Sequence, residues 1–217
     1  MSQVGRLEML LADGSVWRMH DLQAQGIART TVRRAVSAGW VEALSRGLYR
    51  GAATSDQKGS DLAEVRARYT GGVICLLTAA QFHGLTDEAP DQVWIAVPNN
   101  TRTPKTAWPP VRLVRWRSAA SRQVGVEVHR IHGVDVPVTG PARTLVDMLR
   151  MMKAVGADRA MECLRDYAIS GGSAREVREI ADTIGCGKQL TPYLTAIPYM
   201  ETRHAKPTGG NKRKTES

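Results

Sequence analysis

Apolar residues at helical spacing open the chain. Val4, Leu7, Leu10 and Leu11 share one face, and Asp13-Gly14 ends the element. A second short helix is predicted over residues 18–25, carrying Met19, Leu22 and Ala24 until Gly26 supplies a tight turn. Within residues 28–38, Val32, Ala35 and Val36 lie on the side of Ile27, whereas Arg29, Thr30, Arg33, Arg34 and Ser37 point the other way. Gly39 closes that helix. Trp40-Val41-Glu42-Ala43-Leu44 and Leu48-Tyr49-Arg50 then read as two short strands around Ser45-Arg46-Gly47. Residues 51–60 turn to Gly, Ala, Ser, Thr and Lys, the composition of a linker across which few packing contacts are expected.

A new pattern begins at Asp61. An amphipathic helix over 61–69 and a mostly apolar helix over 73–84 precede four strand-like runs at 93–97, 111–116, 124–131 and 134–138. Alternation in the last two puts Val124, Val126 and Val128 on one face and Val134, Val136 and Val138 on another. The run from Val111 mixes arginine and apolar residues on both faces and is expected at a sheet edge. After Gly140-Pro141 the pattern is helical. Ala142, Leu145, Val146, Leu149 and Met152 form one stripe, with Pro141 tolerated in the first turn. Ala160, Met161, Leu164 and Ala168 form a second. Ser173-Ala174-Arg175-Glu176 is a capping box ahead of Val177, Ile180, Ala181 and Ile184. A last helix carries Leu190, Tyr193, Leu194 and Ile197, and from about Arg203 the chain is polar and basic, a disordered tail by composition. The predicted class is α+β. An N-terminal winged helix-turn-helix domain (1–50) is joined by a linker (51–60) to a C-terminal α/β domain (61–202), a small mixed sheet followed by a helical bundle, with a basic tail at 203–217.

Composition sharpens this picture. With 42% hydrophobic and 24% charged residues, 217 residues can bury a sizeable core, which excludes disorder throughout. No apolar run reaches the roughly 18–20 residues of a membrane span, and residues 1–14 lack a secretory apolar stretch, so a cytoplasmic location without a membrane partner is expected. Cys75, Cys163 and Cys186 are odd in number and widely spaced, which suits small core residues better than disulfides or a zinc knuckle. The net charge of +9 calls for an acidic partner. Residues 29–50 hold +4, residues 102–130 hold +6 and residues 203–217 hold +4, so these three stretches carry +14 and the remainder −5.

The strongest constellation is the helix, glycine turn, arginine-bearing helix and hairpin of residues 18–50, the plan of a winged helix-turn-helix. A recognition helix must bury one face in its own domain and present hydrogen-bonding and cationic side chains to base edges and phosphates. Arg29, Thr30, Thr31, Arg33, Arg34 and Ser37 meet that demand, with Arg46 at the hairpin tip and Arg50 beyond it as further DNA-binding candidates. An ordinary helix pair with a solvated arginine face has the same pattern; the hairpin is what separates the two readings. Signals for catalysis, cofactors or metals are lacking. GxxxxGK[ST], GxGxxG and GxSxG do not occur. His129 and His132 would point to opposite faces of an alternating strand, Pro90-Asp91 is followed by no Asp/Glu-x-Lys, and Gly59-Ser60-Asp61 lacks the Asp-x-Asp pair of a nucleotidyltransferase. No enzymatic activity, cofactor or metal is expected.

These residues resemble a known family. Gly26-Ile27 through Gly39, followed by Arg46-Gly47-Leu48-Tyr49-Arg50, is similar to the amino-terminal domain of the AbiEi family of bacterial type IV antitoxins. Val73-Ile74-Cys75-Leu76-Leu77-Thr78-Ala79-Ala80-Gln81-Phe82-His83-Gly84-Leu85 and Val93-Trp94-Ile95-Ala96-Val97-Pro98 resemble its central elements. Pro141-Ala142-Arg143-Thr144-Leu145-Val146-Asp147-Met148-Leu149 and Gly156-Ala157-Asp158-Arg159-Ala160-Met161-Glu162-Cys163-Leu164-Arg165 resemble its carboxy-terminal helices. The resemblance implies a winged helix that binds inverted repeats in double-stranded operator DNA and represses its own operon. It further implies a C-terminal domain that neutralises an AbiEii-type, nucleotidyltransferase-like toxin without a stable complex, as in abortive phage defence. Where the family often has serine opening the recognition helix, this chain has Ala28, which removes the usual side-chain cap. Arg143 and Asp147, spaced i, i+4 on the side of their helix expected to be exposed, are candidates with Arg150 for the antitoxin surface. The alternative is a stand-alone winged-helix regulator whose second domain binds a ligand or mediates oligomerisation.

Overall fold

Helix α1 (Gln3–Leu11) starts where the Ser2 hydroxyl accepts the Gly5 amide at 3.1 Å, and it buries Leu7 and Leu11. The structure is a computed structural model that describes residues 2–45, 47–54, 60–101, 108–116 and 120–197. Strand β1 (Trp17–Arg18) and helix α2 (Met19–Ala24) lead through Gly26, at φ +78°, into α3 (Arg29–Ser37). The hairpin strands β2 (Val41–Ser45) and β3 (Leu48–Gly51) follow, and β1 joins them in an antiparallel sheet of order β1-β3-β2. Leu7, Leu11, Met19, Leu22, Ile27, Val32, Ala35 and Val41 form the core of this unit. Helix α3 has no side-chain cap of its own at Ala28. The Gln3 carboxamide oxygen, reaching over from α1, accepts the Ala28 amide at 3.1 Å and the Thr31 hydroxyl at 2.7 Å.

The second unit begins with α4 (Ser60–Arg68) and contains a five-stranded mixed sheet of order β6-β5-β4-β8-β7. Its strands are β4 (Val73–Ile74), β5 (Val93–Val97), β6 (Val111–Arg115), β7 (Val126–Ile131) and β8 (Val134–Thr139). Helix α5 (Leu76–Phe82) lies between β4 and β5 in the chain. After β8 come α6 (Pro141–Arg150), α7 (Met152–Val155), α8 (Ala157–Ile169), α9 (Ala174–Thr183) and α10 (Gly187–Leu194). The sheet is covered on both faces, which explains why β5 reads Val-Trp-Ile-Ala-Val without polar alternation. Val93, Ile95 and Val97 pack with Val65 and Tyr69 of the α4 segment, while Trp94 and Ala96 join the larger core with α5, α6 and α8. Ser173 caps α9 as expected, accepting the Glu176 amide at 3.3 Å. The edge position expected for the strand from Val111 is the one it occupies.

One expectation fails here. The apolar run from Val73 is not one helix: Val73 and Ile74 form the central strand, and the helix starts only at Leu76. Strand β4 pairs with β5 on one side and β8 on the other, so tertiary pairing decides a segment too short for periodicity to separate strand from helix. The switch is sharp, with Leu76 held at φ +51°. Strand β7 is the other sheet edge, and Val128, on the apolar face that the alternation sets out with Val124 and Val126, is 65% exposed.

The two units also pack together, against the expectation that few contacts cross the linker. Residues 55–59 lie outside the described residues, but Val16 and Leu48 of the first unit share a buried cluster with Ala63 and Ala67 of α4. The Val16 amide donates to the His132 carbonyl at 3.1 Å. Gly133, at φ +73°, lies so close to Ser15 that a side chain there would collide with the serine hydroxyl.

Candidate nucleic-acid interface

Helix α3 turns Val32 and Ala35 into its own domain and leaves Arg29, Thr30, Arg33, Arg34 and Ser37 exposed along one outward face. Among the described residues none of the three arginines makes an ion pair, so their guanidinium groups are available to phosphate or base edges. Beside this face, Arg29, Arg33, Val36, Ala43, Gly47 and Tyr49 border a concave groove of about 410 Å³ between α3 and the hairpin. Among the described residues no carboxylate lines it. Thr31 is half-buried and its hydroxyl is committed to Gln3, which makes it part of the helix cap rather than of the exposed face. Arg46 lies outside the described residues, as do Arg102, Lys105, Arg117 and the whole 203–217 tail.

Arg50 requires a correction. Its side chain is 5% exposed and faces the second unit, with Nη2 at 2.9 Å from Glu42 Oε2 and Nη1 at 3.2 Å from Glu64 Oε1. A guanidinium held between two carboxylates at the junction of the units cannot serve DNA. Burial pushes the Glu64 carboxyl above its ordinary pKa, against the pull of Arg50. Nothing in the sequence pairs Arg50 with Glu64, because the contact depends on how β3 meets α4.

Arg143 and Asp147 require a second correction. Both are 0% exposed. Arg143 Nε donates to Asp147 Oδ2 at 2.8 Å and Nη1 to the Val124 carbonyl at 2.7 Å, and the guanidinium stacks over the Trp116 ring, 4.4 Å from its centroid. Burial raises the Asp147 pKa despite the opposing pull of Arg143 and Arg150. The pair is interior because α6 is enclosed on every side, packing on α5, α8, α9 and α10. It cannot form a surface for a toxin; of that trio only Arg150, half-buried, reaches solvent. His129 lies 3.2 Å from Glu127, and no group of three or more His, Cys, Asp or Glu gathers at metal-binding distance among the described residues. The three cysteines are buried and unpaired.

A family model described as AbiEi antitoxin C-terminal domain matches residues 72–186, more than half of the chain. The chain belongs to the AbiEi antitoxin family. A second model, described as transcriptional regulator, AbiEi antitoxin, matches residues 6–50, from within α1 to the last strand of the hairpin. Together the two matches make this AbiEi protein an antitoxin-type transcriptional regulator, whose general partner classes are DNA and a toxin. The fold also resembles the crystal structure of RV2827C protein from Mycobacterium tuberculosis, with a TM-score of 0.60 at 17% sequence identity, covering 99% of this chain and 83% of that one. No curated protein matches the sequence. No helix among the described residues is long and apolar enough to cross a membrane.

Proposed function

We propose that this AbiEi protein binds inverted-repeat operator DNA through α3 and the adjoining hairpin, and represses its own operon. The observation that carries this reading is the exposed arginine face of α3, without an ion pair among the described residues, beside a groove that no described carboxylate lines. Residues 1–50 are the reading head in this proposal, residues 61–202 the antitoxin domain, and residues 203–217 an accessory basic tail. Arg29, Thr30, Arg33, Arg34 and Ser37 contact DNA, with Arg46 at the hairpin tip. The second unit, with Arg150 as the remaining candidate of its surface trio, neutralises a nucleotidyltransferase-like toxin of the AbiEii type without forming a stable complex. The match to an antitoxin C-terminal domain favours this over a stand-alone regulator. The chain has no catalytic role in this scheme.

Arg33→Ala combined with Arg34→Ala should weaken operator binding while leaving the fold intact, since both side chains are exposed. Each lost phosphate contact should lower the log–log salt slope by about 0.9, and a lost base contact should cost roughly 1–3 kcal/mol of discrimination. A footprinting titration against salt measures both, and unchanged operator affinity would refute the assignment of α3.

A further inference from the structure

Where the winged helix meets the second unit, the two leave a cleft of about 570 Å³, within the size range of small-ligand sites. Asp13, Ser15, Trp17 and Arg18 line it from the first unit, Arg66 of α4 and Asp135 of β8 from the second. The carboxylates at this cleft are engaged. Asp13 accepts the Ser15 amide at 2.9 Å, Asp21 lies 3.3 Å from His20 Nδ1, and Asp135 accepts from Arg130 at 2.7 Å. Arg18 and Arg66, half-buried in the lining on either side of the junction, are not matched in this way. Arg18 donates to the Ala67 carbonyl, and Arg66 donates to the carbonyls of Asp135 and Tyr69 at 3.1 and 3.2 Å. Neither guanidinium has a carboxylate within ion-pair distance among the described residues. Burial and the neighbouring Arg18 charge pull the Arg66 pKa below its ordinary value, against the opposing influence of Asp135.

We propose that this cleft binds a phosphorylated small molecule, held between the guanidinium groups of Arg18 and Arg66. The cleft's three carboxylates, Asp13, Asp21 and Asp135, equal its three arginines in formal charge, so the preference rests on shape: a phosphate group offers three acceptor oxygens to the forks of Arg18 and Arg66, a monocarboxylate two. The planar forks of arginine also suit phosphate oxygens. A phosphate of the DNA backbone has the same chemistry, so the test separates the two sources.

The full chain is titrated calorimetrically with inorganic pyrophosphate, with acetate as a control and a DNA duplex as a separate arm. Saturable binding of pyrophosphate but not acetate is expected, weakened at least about tenfold in the Arg18→Gln, Arg66→Gln variant. Lack of saturation, or equal affinity in the variant, overturns the proposal. So does loss of duplex affinity in a variant whose parent never saturates with pyrophosphate, which would assign the arginines to backbone phosphates. If the glutamine pair does not fold, Arg18→Lys with Arg66→Lys decides, because it keeps the charge and discards the forks. Weakening by at least about threefold supports the site, and unaltered pyrophosphate affinity overturns it.

Discussion

Asp147 is enclosed and ion-paired with Arg143, so removing Arg143 strands a carboxyl group in the core. Arg143→Ala is expected to cost about 3–5 kcal/mol in urea unfolding, the range for breaking a buried pair. Replacing both residues with leucine should cost less than the single change, because no charge is then left behind. A double variant as destabilised as the single one would show that the loss lies in packing against Trp116 instead. His83 offers a pH-dependent counterpart. Its Nε2 lies 2.7 Å from the Thr139 carbonyl, to which the ring N–H donates, and burial lowers its pKa below the ordinary 6.5. The unfolded chain therefore takes up this proton at a higher pH than the folded one. The associated stability is present above pH 6.5 and is lost as the pH falls from there towards the folded value. His83→Gln, which preserves a donor, should flatten the difference in melting temperature between pH 7 and about pH 5. An unchanged pH profile would remove His83 from this role.

Helices with one apolar face were legible in the sequence, and so was the winged plan, because α1, α2 and α3 each bury a face set by local spacing. Segments buried on all sides were not. Helix α6 has a regular apolar stripe, yet neighbours also cover the side carrying Arg143 and Asp147, and stripe periodicity does not report a second layer. The reading of Val73–Ile74 failed for a related reason: two central-strand residues acquire their identity only from strands that arrive 20 and more than 60 positions later. The outward residues of α3 were identified correctly as exposed, whereas Arg50 looked equivalent until β3 met α4. That contact makes a prediction. Arg50→Met should destabilise the chain by about 3 kcal/mol, since Glu64 loses its partner inside the junction. Adding Glu64→Met should recover most of the loss, as followed by chemical denaturation. The folded double variant should keep its operator affinity. A selective loss of DNA binding in that variant would return Arg50 to the DNA-binding set.

Each unit owns a core, and a third cluster belongs to both. Leu7, Leu22 and Val32 pack within the winged helix, and Leu145, Leu164 and Val177 within the second unit, while Val16 and Leu48 of the first unit cluster with Ala63 and Ala67 of the second. Separating the chain near the linker therefore affects the two pieces unequally. A fragment from residue 61 retains both cores flanking its sheet and loses the cover over one face of α4, the Val16 bond to His132 and the Arg50 partner of Glu64, whose carboxylate then gains water in place of the guanidinium. It is expected to fold with a loss of roughly 1–2 kcal/mol, or about 3–6 °C in melting temperature. In the proposed division of labour it still protects cells from the toxin. A fragment ending at residue 51 is small, exposes Val16 and Leu48, and leaves Arg50 without Glu64, so it is expected to be marginally stable, to bind DNA weakly and to give no protection. Thermal melts of each fragment, followed by co-expression with the toxin and growth measurement, decide between outcomes. Protection by the amino-terminal fragment alone, or by neither when both are folded, would refute the assignment of antitoxicity to the second unit. A fragment from residue 61 as stable as the full chain would show that the shared cluster contributes nothing to holding the molecule together.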